Sequence, residues 1–259
     1  MTTNRWLVAA LALAGIAGAQ PPAWSADLPQ GTLMTKAPAA VLAYRWTGCY
    51  LGANVGAGAD RAAYTDVNPQ RPTSLDLGTA RATGALGGGQ IGCDYQAGNW
   101  VFGLQGMGEA TGFRGTSHYV PGPTDPRLNN VYDTSSRISS LVTATARLGY
   151  AVQPQILIYA KGGGAWMRSS VDYMSTGQGF TFPYAGSETR TGWTAGGGVE
   201  FLIAPNWSVF AEYNYIDFGA KTLTLQGYGP ITAGATQAIL VSHRIDTAMF
   251  GVNYRFGSP

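Results

Sequence analysis

The chain has 259 residues, of which 12% are charged and 37 are glycine, with a formal net charge of +2. Charge is about half as frequent as in an average soluble domain, and so small a balance gives no electrostatic footprint for nucleic acid. Past the first residues no apolar run reaches the roughly 20 residues of a spanning helix, so a membrane-spanning reading requires a closed β-barrel, in which no strand edge is left unpaired in hydrocarbon.

Arg5 supplies a positive start and Leu7 to Ala19 form a short apolar stretch, the layout of a secretory signal peptide. Ala17-Gly18-Ala19 fits a small-x-small cleavage rule, and Ala26 is the other candidate. Residues 1–26 are therefore expected to be a signal peptide, with cleavage within 19–26. Residues 27–45, rich in Pro and Ala, read as a periplasmic lead-in. Residues 46–259 suit one barrel domain.

Eight strands are expected near Trp46–Ala59, Gly84–Gln96, Trp100–Gly112, Ile138–Val152, Ile156–Tyr173, Thr191–Ile203, Trp207–Leu225 and Ala238–Phe256. Three connections are very short: Ala97-Gly98-Asn99, Gln153-Pro154-Gln155 and Ala204-Pro205-Asn206. They alternate with four long ones, near 60–83, 113–137, 174–190 and 226–237, which carry turn-formers such as Val120-Pro121-Gly122-Pro123 and Gly227-Tyr228-Gly229-Pro230. Tight turns alternating with long loops mark an up-and-down outer-membrane barrel. The predicted fold is all-β, a closed antiparallel transmembrane barrel of about eight strands.

Side chains alternate between faces along a strand, and the residue types sort accordingly. Trp100, Phe102 and Leu104 share a face opposite Gln105 and Glu109; Val142, Ala144, Ala146, Leu148 and Tyr150 oppose Arg147. Ile156, Ile158, Ala160 and Trp166 oppose Lys161; Trp193, Val199, Phe201 and Ile203 oppose Glu200; Trp207, Val209 and Tyr213 oppose Glu212. A cation facing mid-bilayer lipid costs roughly 2–4 kcal/mol. Arg147, Lys161 and Arg255 are therefore expected to point inward, where Asp94, Glu109, Glu200 and Glu212 neutralise them. The small inward residues Gly92, Gly103, Gly196 and Gly198 leave room for them. The interior of a barrel this size is just filled by side chains, which predicts a polar, hydrogen-bonded plug; a proton or ion path along the same charges is the functional alternative. Trp100 and Trp207 at the short-turn end, with Trp166 and Trp193 nearer the long loops, are expected to form aromatic girdles at the outer-membrane lipid interfaces. Cys49 near the start of strand one and Cys93 near the end of strand two meet at the same end of the barrel. An exported chain matures in an oxidising compartment, so a Cys49–Cys93 disulfide is expected.

Three stretches carry a resemblance. They are Trp46-Thr47-Gly48-Cys49-Tyr50-Leu51-Gly52-Ala53-Asn54-Val55-Gly56, Gly88-Gly89-Gln90-Ile91-Gly92-Cys93-Asp94-Tyr95-Gln96 and Gly251-Val252-Asn253-Tyr254-Arg255-Phe256. With Asp27-Leu28-Pro29, they make the chain resemble the small porin-like outer-membrane barrel proteins of α-proteobacteria, related to opacity and OmpA-type barrels. The resemblance implies a bacterial outer-membrane location, possible contacts with periplasmic envelope components, and a C-terminal strand read by the barrel-assembly machinery. Phe250, Val252, Tyr254 and Phe256 would be the apolar face of that assembly signal, although Gly257-Ser258-Pro259 follow the terminal aromatic. The group includes hemin-binding members, and His118, Tyr119 and Tyr228 in the presumed external loops are residue types that ligate haem iron; their plain reading is ordinary exposed loop.

No catalytic, cofactor or metal site is expected. The only histidines are His118 and His243, in no metal-ligand spacing; His118 with Asp125, or His243 with Asp246, is the nearest approach to a catalytic pair. The leading expectation is a non-enzymatic outer-membrane barrel serving envelope integrity and surface display. A small-solute porin, a hemin-binding surface protein and a soluble lipocalin-like calyx are the alternatives. A calyx would place apolar groups inside and charges outside.

Overall fold

The period-two alternation persists well beyond the expected strand ends, and the sheet follows it. The computed structural model describes residues 44–67, 75–120, 130–177 and 179–256. Eight strands close into one antiparallel barrel in chain order: β1 Gly48–Asp66, β2 Leu75–Ala97, β3 Trp100–Tyr119, β4 Asn130–Gln153, β5 Ile156–Gly177, β6 Phe180–Ala204, β7 Trp207–Gly227 and β8 Thr236–Phe256. Closure is made by β1 against β8, in register from Cys49 opposite Phe256 to Asp66 opposite Ile239. The expected signal peptide, nearly all of the lead-in, the Pro121-Gly122-Pro123 turn, Asp125 and the residues after Phe256 lie outside the described residues.

The short turns reverse the chain in two residues each, with Gly98 at positive φ (61°) in the first. At the opposite end the expected long loops require correction. Most of each of the first three is strand, and the third is no long loop at all, since only residues 178–179 separate β5 from β6; the fourth keeps its loop over residues 228–235. The reason is compositional. These segments carry Thr, Ser, Arg and Asp on the outward face, which reads as loop, while alternate positions such as Tyr64, Ala82, Phe113 and Tyr132 point inward and are buried. The start of strand one is corrected as well. Trp46 precedes β1 and is fully buried; its backbone N–H donates to Gln96 Oε1 at 2.9 Å, which holds it at the short-turn end.

The interior is layered, with buried charges in one layer and apolar side chains on either side of it. At the short-turn end Trp46, Val101, Ala151, Leu157, Tyr159 and Leu202 pack together. A layer of buried charges follows. Next comes an apolar cluster that includes Leu86, Met107, Phe113, Ile138, Met167 and Ile245. Farther up, the inward positions carry a second apolar cluster that includes Tyr64, Tyr132, Val171, Leu225 and Val241. The outward face of the short-turn half is the reverse, with Leu51, Val55, Ile91, Leu104, Ile158 and Phe250 all exposed. In water such a surface would be a contiguous apolar patch; in a bilayer it is the solvent-matched face.

Cys49 and Cys93 sit directly opposite one another on β1 and β2 and are disulfide-bonded, with Cα atoms 3.9 Å apart. The bridge closes a sequence separation of 44 residues, for which the chain-entropy model gives about 4 kcal/mol of stabilisation. Replacing both cysteines by serine is expected to lower stability to denaturant by about 2–4 kcal/mol. Thiol counting after denaturation without reductant checks the bond itself: no reactive thiol is expected in the unsubstituted protein, and two would contradict the pairing.

Candidate functional site

Four strands deliver the main charge cluster. Asp94 (β2), Arg147 (β4), Glu200 (β6) and Arg255 (β8) all occupy inward positions, and their side chains are at most 1% exposed. Arg147 meets Asp94 at 3.4 Å and Glu200 at 2.7 Å. Arg255 meets the same two carboxylates, at 2.6 Å and 3.1 Å. Two cations and two anions thus alternate around one closed arrangement, and each carboxylate is shared by both guanidiniums.

Buried charges persist only when their remaining hydrogen-bonding capacity is met. Glu200 also accepts from Ser208 Oγ at 2.6 Å and Asn253 Nδ2 at 3.0 Å. Arg147 donates to the Tyr50 hydroxyl at 3.1 Å, and Arg255 to the Trp46 carbonyl at 2.6 Å. Asp94 Oδ1 and the Nε atoms of Arg147 and Arg255 have no hydrogen-bond partner among the described residues, and aromatic faces cover the guanidiniums. Arg147 lies 4.3 Å from the Tyr159 ring centroid and Arg255 lies 5.0 Å from that of Trp46, within cation–π range.

Lys161 belongs to a second cluster. It stands directly opposite Arg147 in the β4–β5 register, and the two like charges separate by recruiting different partners. Lys161 Nζ donates to Glu212 Oε1 at 2.7 Å and Gln105 Oε1 at 3.1 Å. Glu212 further accepts from the Tyr159 hydroxyl at 2.9 Å and Asn214 Nδ2 at 3.0 Å. Glu109 stands apart: it is buried, and its Oε2 has no hydrogen-bond partner among the described residues.

Glycines make this reach possible. Gly103 lies between Asp94 and Arg147 in register, so the bare backbone of β3 lets an arginine on β4 touch a carboxylate on β2. A Cβ built at Gly103 would collide with Asp94 Oδ1. Likewise a Cβ at Gly92 would strike the Tyr50 ring, one at Gly196 would strike Asn214, and one at Gly198 would meet Glu212 Cβ at 2.8 Å.

The remaining sequence candidates fall on the outside or apart. Trp100, Trp166, Trp193 and Trp207 are all exposed on the outward face. Trp100 packs edge-on against Tyr150 at 5.2 Å, and Trp207 against Tyr254 at 5.1 Å. Phe250, Val252, Tyr254 and Phe256 share the outward face of β8. His118 is exposed and meets Asp133 at 2.6 Å, whereas Tyr119 packs against the upper apolar cluster, so the two point to opposite faces of β3. Tyr228 is exposed in the β7–β8 connection. His243 and Asp246 do not pair: His243 is buried inside against Asp60 at 2.8 Å, and Asp246 is held outside by Tyr213 and Arg61. The partners that the sequence reading missed are Trp46, Tyr50, Tyr159, Ser208, Asn214 and Asn253. For all but Trp46, which precedes β1, the signal was parity with the inward charged residues.

Comparison with known proteins follows the same lines. A sequence model of the outer membrane protein beta-barrel domain matches residues 9–256. The 31 kDa outer-membrane immunogenic protein of Brucella melitensis is 27% identical over 242 residues, covering 90% of this chain and 93% of that protein. The 25 kDa outer-membrane immunogenic protein of the same organism is 26% identical, covering 90% and 91%. Among solved structures, the outer membrane protease OmpT from Escherichia coli aligns with a TM-score of 0.52 at 8% identity, covering 81% of this chain and 97% of OmpT. That likeness concerns the fold alone.

The inward and outward glycines of β3 give a paired test of the charge layer. Gly103→Ala forces a methyl group into the Asp94–Arg147 contact and is expected to destabilise the barrel by about 1–3 kcal/mol. Gly108→Ala, where a Cβ would meet nothing within 4 Å, is expected to be neutral or stabilising by up to about 1 kcal/mol. Urea midpoints of the two variants in lipid vesicles check the contrast.

Proposed function

Because the chain belongs to the outer membrane protein beta-barrel domain family and lies in the bacterial outer membrane, we propose that it is a non-enzymatic structural and surface protein whose lumen is sealed by its own side chains. The observation that carries this reading is the Asp94–Arg147–Glu200–Arg255 cluster, in which every charged side chain is at most 1% exposed. It is lidded at the short-turn end by Trp46 and backed on the other side by an apolar layer. A conducting pore of the porin type needs a hydrated path with charges facing water; here the charges are spent on one another.

In this reading the turns at 98–99, 154–155 and 205–206 face the periplasm and the opposite half of the barrel stands outside the cell. The names of the Brucella relatives support surface exposure, since both are called immunogenic. They also support a non-enzymatic role, as neither name states an activity. The outward aromatic face of β8 is the feature that the assembly machinery would read. A soluble calyx does not fit: the exposed outward face of the short-turn half is apolar and the charges lie inside, the reverse of a lipocalin.

Planar-bilayer conductance of the refolded protein tests the sealed lumen, with folding verified by a heat-dependent gel shift. The unsubstituted barrel is expected to be silent, and Glu200→Ala, which strips both guanidiniums of a shared carboxylate, to open intermittent conductance. Steady channels in the unsubstituted protein, altered by Lys161→Ala and Glu200→Ala, would overturn the reading in favour of a small-solute porin.

A further inference from the structure

The outward face changes character abruptly partway up every strand. Nearest the short turns it carries no charge, from Cys49 to Ala59 on β1, Trp100 to Gly112 on β3 and Ile156 to Trp166 on β5. Each stretch is close to the roughly 9–11 residues that a tilted strand needs to cross hydrocarbon. Immediately above it, at roughly one height, stand Arg244, Arg61, Arg81, Arg114, Arg137 and Arg168, all outward and exposed. They occupy six neighbouring strands, β8 and β1 to β5, and leave β6 and β7 without a counterpart at this height.

The register makes this arc costly. Arg61 stands directly opposite Arg81 on one side and Arg244 on the other, and Arg114 stands directly opposite Arg137. Like charges placed directly across a strand pair are destabilising. Acidic relief reaches only one end: Arg61 meets Asp246 at 3.9 Å and Arg244 meets Asp217 at 3.5 Å. Arg81, Arg114, Arg137 and Arg168 have no ion-pair partner among the described residues. Apart from the arginine pairs, the cross-strand neighbours of three of them are hydroxyls: Thr83 opposite Arg114, Ser170 opposite Arg137, and both Ser140 and Thr189 opposite Arg168. Every cation of the arc is arginine, whose planar fork binds phosphate bidentately where lysine offers a point charge.

We propose that this arc is a docking surface for the phosphate groups of outer-leaflet lipid, the phosphorylated glycolipid head of lipopolysaccharide. The inference rests on the outward orientation of the long-loop half given above. Position fixes the ligand class. The arginines ring the upper edge of the uncharged belt, where headgroups lie, and face away from the barrel axis toward lipid. The surface beneath them suits acyl chains: Gly87 and Gly89 of β2 and Gly106 and Gly108 of β3 face outward, and a Cβ at Gly108 would touch nothing within 4 Å. The barrel's own packing does not require these glycines, so their smooth face is free to meet a neighbouring chain. Phosphate supplies the counter-charge that the protein withholds from four of its arginines.

The test compares the full protein with a variant carrying Arg81→Gln, Arg114→Gln, Arg137→Gln and Arg168→Gln. Both are inserted in neutral phospholipid vesicles containing either bis-phosphorylated lipid A or its dephosphorylated form. Lipid A retained per barrel after mild detergent extraction and gel filtration is read by mass spectrometry. The unsubstituted protein is expected to retain the phosphorylated lipid and not the dephosphorylated one. At roughly fivefold per basic residue near an anionic surface, the glutamine variant is expected to lose at least about tenfold. A variant with lysine at the four positions keeps the net charge and guards against a loss caused by misfolding; its retention is expected to fall between the other two. Equal retention by the unsubstituted and glutamine proteins, or of both lipid A forms, would overturn the proposal while leaving the membrane reading intact. Failure of the unsubstituted protein to insert in any vesicle, seen as no heat-dependent gel shift, would instead overturn the membrane reading and this proposal with it.

Discussion

Everything in this molecule depends on the pairing of β1 with β8. Hydrocarbon offers no partner to a backbone N–H or C=O, so a sheet that crosses it must have no edge. Cys49 opposite Phe256 and the register that follows remove the last edge. Closure at eight strands then fixes the interior width at about what side chains fill. From that width the rest follows. Inward charges cannot stay hydrated, so all the cations among them pair and of the carboxylates Glu109 alone, among the described residues of the charge layer, stands apart. Pairing across the lumen requires bare backbone at positions such as Gly103, and the bulky apolar groups are left to the outward face.

The layered interior has its own physical logic. In the short-turn half the outside is lipid, and the interior is where polar groups can be satisfied. In the upper half the outward residues include Thr, Ser, Arg and Asp, and most inward positions become Tyr, Leu, Ile and Val, with Asp60, His243 and Arg190 buried among them. The barrel thus passes from an inside-out arrangement to that of a soluble protein along the same strands. The apolar belt ends where the arginines begin, so the outer surface marks the height at which the surrounding medium changes.

Much of this was legible in the sequence. Strand number, tight turns, the outward aromatic residues and the parity of Arg147, Lys161, Glu200, Glu212 and Arg255 can all be read from alternation, because a one-residue slip would reverse every face at once. The cysteine pairing was legible for the same reason, since both residues share a face at neighbouring strand ends. The upper strand halves were not. Where lipid is absent the outward face turns polar, and a polar alternate row looks like loop unless the inward row is read separately. That is why Tyr64, Phe113 and Tyr132 were missed as interior, and why Arg61, Arg81, Arg114 and Arg137 were hidden in supposed loops. Nor could parity alone tell which acid serves which cation. Arg147 and Lys161 face each other in register, and only the lumen geometry sends one to Asp94 and Glu200 and the other to Glu212.

The height at which lipid gives way to water along one strand is the most direct test of this arrangement. Nitroxide labels placed singly at Leu104, Gly108 and Thr116, all on the outward face of β3, report oxygen against water-soluble nickel accessibility in vesicles. Labels at Leu104 and Gly108 are expected to be oxygen-accessible and shielded from nickel, with the preference reversed at Thr116, beyond Arg114. Nickel access at Leu104, or lipid-like access continuing unchanged to Thr116, would contradict the placement of the membrane and the division of the barrel built on it.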